Sequence, residues 1–214
     1  MAYTRGTSSE IIVGAAALFT ADSTLDPSSI PAFVTTQSYK ETLSNSANMA
    51  AGIDNVGYTS NGIEITFQPN FGEVQVDQIL DVAKLYKQGM QVTLKTSFAE
   101  ATLENLLFSI AGKGSNLSGT KSTSAGRALK LASGDIGECP VERAPLAAGP
   151  GTGDCADSSS VERVYVAYRA LSIDNVVVSA KRDAATMFDV TFRLLPEDTS
   201  GSYGKIIDRT IQGS

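Results

Sequence analysis

The side chains able to do chemistry here are few in kind. They are the two cysteines Cys139 and Cys155, 23 carboxylates, and two glycine-rich stretches, GPGTGD at 149–154 and AGKG at 111–114. The 214 residues contain no histidine. Ser-His-Asp and Cys-His catalysis, HExxH zinc chemistry and haem ligation by histidine are therefore excluded. Two cysteines are too few for a cysteine-only zinc site or a disulfide-rich scaffold. With Cys155 at the tip of a hairpin and Cys139 about nine strand residues away, the two are separated by roughly 30 Å. A disulfide needs Cα atoms within about 7 Å, so two free thiols are expected. GPGTGD is neither a dinucleotide fingerprint nor a phosphate loop, and no helix follows whose N-terminus would hold a phosphate. Ala111-Gly112-Lys113-Gly114 lacks both the upstream glycine and the hydroxyl residue of a phosphate loop, and reads as a helix stop. A glycosidase needs only two carboxylates. Here the acids alternate along strands, tryptophan is absent, and a solvated sheet face is the expectation. Asn116-Leu117-Ser118 is a glycosylation sequon that has meaning only on a secretory route. The apolar run from Ile11 to Phe19 is too short to span a bilayer, has Glu10 against it and lacks a cleavage signal, so it reads as a strand buried on both faces. No enzyme activity, metal, cofactor or membrane partner is expected.

Charge points the same way. The net charge is −6, and between Glu41 and Ala83 there are six acids and no Lys or Arg. Nucleic-acid binding needs clustered cations to neutralise phosphates; weak binding to DNA is expected.

The elements that would position these residues alternate with period two. Ile63, Ile65 and Phe67 alternate with Glu64 and Thr66, and Val74 and Val76 with Glu73, Gln75 and Asp77. The same pattern covers 90–96, 164–169 and 188–194, the signature of strands with one face on a core. Asn61-Gly62 is a turn dipeptide, and QPNFG at 68–72 reads as the turn of a hairpin pairing 63–67 with 73–77. Shorter strands are expected at 127–132, 140–147, 173–180 and 204–210. One helix is specified at about 98–111. Ser97 and Glu100 fit a capping box, Leu103, Leu106, Leu107 and Ile110 form its apolar stripe, and Gly112 stands at the left-handed C-cap. A second short helix is possible around 78–87. The fold class is mainly β: a sandwich or barrel of antiparallel sheets with one flanking helix, in a single domain over 1–214. Three stretches carry little pattern. They are a long N-terminal loop at 21–51, a connector at 113–126 and a hairpin-tip insertion at 149–160.

Three blocks carry a resemblance. They are Asn55-Val56-Gly57-Tyr58-Thr59-Ser60-Asn61-Gly62-Ile63-Glu64-Ile65, the strand-then-helix unit from Val92 to Leu106, and VTFRLLPED at 190–198 followed by YGKIID at 203–208. In this order they resemble the major tail tube proteins of long-tailed bacteriophages, which are related to gene-transfer-agent and type VI secretion tubes. The resemblance covers about residues 10–20 and 52–210. It implies a structural virion protein of the tail, assembled in the host cytoplasm. Six copies would close a ring through their sheets, and rings would stack into a tube through which DNA passes without specific binding. Tape-measure, tail-terminator and distal-tail proteins are the implied partners. On this reading the polar face of the 63–77 hairpin, with Glu64, Thr66, Glu73, Gln75 and Asp77, lines an acidic lumen that repels phosphates; the alternative is that this face is the solvated outside. The loop at 21–51 would reach a neighbouring subunit. The rival readings are a monomeric β-sandwich module binding carbohydrate or acting as an adhesin, which would use exposed tyrosines, and a capsid decoration protein.

Overall fold

The structure is a computed structural model that describes residues 12, 14–21, 52–78, 81–122, 124, 126–132, 139–152, 161–183 and 185–210. It is mainly β, with antiparallel sheets in the manner of a β-sandwich. Strands β1 (Ala17–Ala21), β2 (Ile53–Gly57), β7 (Ala144–Pro150), β8 (Val161–Ala167) and β11 (Gly204–Thr210) form a five-stranded sheet in the order β11-β8-β7-β1-β2. Strands β3 (Thr59–Gln75), β4 (Val82–Phe98), β9 (Arg169–Ser172) and β10 (Phe188–Leu195) form a four-stranded sheet in the order β3-β4-β10-β9. The pair β5 (Leu117–Gly119) and β6 (Arg127–Leu129) forms a small third sheet. Helix α1 (Leu103–Ser109) directly follows the turn after β4.

Period two builds the core. On β10, Phe188, Val190, Phe192 and Leu194 are all buried, and on β4 Val92, Leu94 and Phe98 face the same way. With Leu18, Val56 and Ala147 from the other sheet they form the layer between the sheets. Phe19, Leu146, Ala148 and Val164 form a second buried cluster containing the alternate residues of the five-stranded sheet. Leu18 and Phe19 are both fully buried, in different clusters. The strand buried on both faces thus exists, shifted from the 11–19 run to 17–21.

The largest departure is at 68–72. There is no turn there. β3 runs unbroken for 17 residues and pairs with β4 from Thr59↔Phe98 to Gln75↔Val82. Pro69, which argued for the turn, lies opposite Met90. It is tolerated because β3 is the edge of its sheet, where a missing N–H need cost no ladder bond. The reversal comes instead after Val76, and the possible helix around 78–87 is replaced by the first residues of β4. The Asn61-Gly62 dipeptide does adopt left-handed φ values of 64° and 68°, but as an irregularity inside β3, where Thr96 Oγ1 donates to Gly62 O at 2.8 Å.

The helix is shorter than expected and capped differently. Thr102 is its N-cap, with Asn105 N donating to Thr102 Oγ1 at 3.1 Å. Ser97 is not the cap: its residue pairs with both Ser60 and Asp189 in the sheet, so its backbone is committed to the ladder. Its hydroxyl bonds to the Asp189 carboxylate. Glu100 is not in the helix either; its carboxylate accepts from Tyr58 N at 3.0 Å. Of the expected stripe, Leu107 is buried, Leu103 and Leu106 are half-buried, and Ile110 is exposed as the C-cap. The anchor is Phe108, whose ring lies 4.9 Å from Phe192 and 6.0 Å from Phe98.

Nor is Gly112 the left-handed residue. Ala111 takes that place with φ 52°, while Ala111 N and Gly112 N donate to Phe108 O and Leu107 O. This is a Schellman ending with alanine where glycine is preferred. Ala111→Gly should therefore stabilise the protein by about 0.5–1 kcal/mol, after the greater unfolded freedom of glycine is set against relief of the left-handed strain. A thermal melt should show a rise of about 1–4 °C for a domain of this size; no change would mean the helix ends otherwise in solution.

Smaller differences are local. The strand expected at 127–132 closes at Leu129, that at 140–147 lies at 144–150, and 173–180 is irregular rather than a strand. The 113–126 connector contains a 3₁₀ turn at Gly114–Asn116 and β5. The strand at 204–210 is as expected. The loop at 22–51 and the insertion at 153–160, with Cys155, lie outside the described residues; Cys139 is exposed.

Candidate functional site

Among the described residues, no three Cys, Asp or Glu side chains are grouped as a metal would require. No described helix is long and apolar enough to cross a membrane. The distinctive feature is a surface built by strand length. β3 and β4 have 17 residues each, while β7, β8 and β11 across the core have seven. At about 3.4 Å per residue, the β3–β4 hairpin runs well past the opposite sheet. Where Ile63 and Ile65 pack on the core, the same face continues outward through Phe67 and Phe71, with Leu85 on the partner strand. Beyond the opposite sheet this face is uncovered, and Phe67, Phe71 and Leu85 are exposed.

The strand also redistributes the five expected lumen residues. The irregularities at Asn70/Phe71 and Val74/Gln75 each skip a residue of β4 and none of β3, so alternation along β3 carries through and residues an odd number apart lie on opposite faces. Glu64 and Thr66 share the outer face of the four-stranded sheet. Glu73 and Gln75 fall on the other face, with Ile63, Ile65 and Phe67, and Asp77 lies in the turn beyond the strand. The expectation of one common face fails because it placed a turn between the two halves. Nor is the outer face uniformly acidic. Glu64 lies opposite Lys95 on β4, and Arg193 and Asp189 join from β10. The cation-free run along one strand is interleaved with cations from its neighbours.

At the foot of the hairpin the two sheets part to leave a groove of about 410 Å³. Ile65, Phe67 and Met90 line one wall and Tyr165 and Ile206 the other, with Lys87 and Lys205 also present. The loop at 196–203 closes its end. Tyr203 Oη donates to Met90 O at 2.5 Å, tying this loop to β4. Arg169 holds the loop's start, donating to Glu142 and to Asp198. Their carboxylates raise the already high pKa of its guanidinium further, chiefly through the hydrogen bonds.

Within the loop, Glu197 accepts from Thr199 N at 2.9 Å and Ser200 N at 2.6 Å. These backbone donors favour the carboxylate and hold its pKa at about 2. A lowered pKa stabilises the folded loop above the ordinary value near 4.5, and this stabilisation is lost as pH falls from there through about 2. A carboxyl NMR titration should give Glu197 a midpoint of about 2; a midpoint near 4.5 would mean that the turn does not form in solution.

Sequence reasoning missed Phe71, Leu85 and Tyr86 as surface features. Their apolar character was visible, but a turn and a helix were expected where they stand. Neither models of known protein families nor curated proteins give a match to the chain.

Proposed function

We propose that this chain is a self-assembling structural subunit, of the kind its resemblance to tail tube proteins implies: six copies to a ring, and rings stacked into a conduit for DNA. The observation that carries this reading is the four-stranded sheet ending in β3, a 17-residue edge strand with no partner on its outer side among the described residues. An unpaired edge is a template for pairing with another chain; Pro69 and the irregularities at Asn70/Phe71 and Val74/Gln75 blunt the far half of β3, so Ile63–Gln68 is the stretch it offers. The other edge, β9, is four residues long and already exchanges both Ala170 backbone hydrogen bonds with Arg143, so the ring partner of β3 would be a different segment. On this reading one face of the sheet, bearing Glu64, Thr66, Lys95 and Arg193, turns to the channel. With the charges mixed, the channel would be neither strongly attractive nor strongly repulsive to phosphates.

The rival, a monomeric binding module, is favoured by one observation, the groove with Tyr165 and Tyr203 in its lining. Light scattering and negative-stain microscopy of the purified chain separate the two. Rings or tubes with a central channel are expected; a monomer at every concentration would refute assembly.

A further inference from the structure

Asn61-Gly62 is the only Asn-Gly dipeptide in the chain, and the fold sets it apart from the strand that carries it. The register of β3 passes from Ser60↔Ser97 directly to Ile63↔Thr96, so neither residue stands opposite a partner on β4. An insertion of this kind disrupts the ladder locally. Both residues hold left-handed φ values, 64° and 68°. Asparagine is among the few L residues that visit this region, and glycine does so freely. Asn61 is exposed, and a Cβ on Gly62 would meet nothing within 4 Å. The bond from Thr96 Oγ1 goes to Gly62 O, at 2.8 Å. It holds the peptide that follows Gly62, not the one that joins Gly62 to Asn61.

We propose that Asn61 is a self-modifying site, at which the folded chain converts the side-chain amide to a carboxylate through a cyclic imide with Gly62. The Gly62 backbone nitrogen attacks Asn61 Cγ and gives up its proton to solvent. The N–Cγ bond forms as the Cγ–Nδ2 bond breaks, and Nδ2 leaves as ammonia after taking a proton from water. Water then opens the imide at either carbonyl. Opening at Cγ gives aspartate at position 61. Opening at the backbone carbonyl gives isoaspartate, in which the main chain runs through Cγ. Water is the only co-reactant. This chemistry needs a nucleophile with no side chain on its α-carbon, room for the ring, and a peptide free to rotate until its nitrogen reaches Cγ. Regular strand pairing resists that rotation, and these two residues stand outside it. Asn70 and Asn175 do not meet the first need, since Phe71 and Val176 follow them. The product carboxylate adds one negative charge to the net −6. It does so two residues before Ile63, where the stretch of β3 open to pairing begins.

The test incubates the full, folded chain at mildly alkaline pH, where the attacking nitrogen loses its proton more readily. Ion-exchange chromatography and tandem mass spectrometry of its peptides follow the reaction. Position 61 should gain the mass difference between an amide and a carboxylic acid, in a fraction that grows with time, and an isoaspartyl methyltransferase should label the product. Gly62→Ala should slow the conversion by at least about tenfold, since a methyl group crowds the nucleophile and restricts its backbone. Asn61→Gln should abolish it on the same timescale, because the longer side chain cannot close the same ring. Melting curves establish that each variant is folded, and the wild-type chain in urea gives the rate without structure. Conversion of Asn61 in urea but not in the folded chain would mean that β3 protects the site, and would overturn the proposal. So would a charge change located at another asparagine with the Asn61 amide intact, or a conversion that folded Gly62→Ala does not slow.

Discussion

Phe108→Ala should be among the most damaging single substitutions, costing about 3–5 kcal/mol. The phenyl ring is buried, stacked against Phe98 and tilted onto Phe192, so it joins α1 to strands β4 and β10. Removing it leaves a cavity lined by rigid rings on β-strands that pair on both sides, and such a site collapses poorly. Urea unfolding should show a lower midpoint with an unchanged slope, because the surface exposed on unfolding is nearly the same. Ile110→Ala, at the exposed end of the helix, should cost well under about 1 kcal/mol. Equal losses at the two positions would mean that the helix docks by a different face. The comparison also tests which residues form the apolar stripe.

Gly57→Ala should be the second large effect, at about 2–3 kcal/mol. Gly57 ends β2 with φ 86°, a conformation that costs an L residue about 1–2 kcal/mol. A Cβ there would also meet the carboxylate of Glu100. That carboxylate accepts the Tyr58 N–H at 3.0 Å where the chain crosses from one sheet to the other. Moving it aside loses a bond worth about 1 kcal/mol. Gly62→Ala separates the two causes, since Gly62 has φ 68° but open space around its Cα. It should show the conformational cost alone. If Gly57→Ala costs no more than Gly62→Ala in denaturant unfolding, the Glu100 contact contributes nothing.

The strands were legible because burial on one face imposes period two on any sequence that forms them. Phe188, Val190, Phe192 and Leu194 could be assigned to a core before any partner strand was known. The amphipathic segment before Gly112 was legible as a helix for the matching reason, and so was the mainly-β class. What periodicity does not encode is where a strand stops. At 68–72 local turn chemistry pointed one way and strand pairing the other; pairing prevailed because an edge strand can accommodate Pro69. The same limit applied to the cap, where Ser97 had the right side chain but its backbone belonged to two ladders.

The candidate site was less legible than the fold, since it depends on relations between strands distant in sequence. Alternation along β3 assigns Glu64 and Thr66 to a face. Only the pairing with β4 and β10 brings Lys95 and Arg193 onto it and cancels the acidity read from one strand alone. Phe71 and Leu85 are apolar wherever they are placed. They are exposed because the strands bearing them outrun the sheet opposite, a difference in length between elements that pack across a core. The chain thus determined on its own which residues alternate and which class of fold they build. Tertiary structure decided how far each strand runs, which charges share a face and which apolar residues are left uncovered, because each of these is set by pairing and packing between segments far apart in sequence.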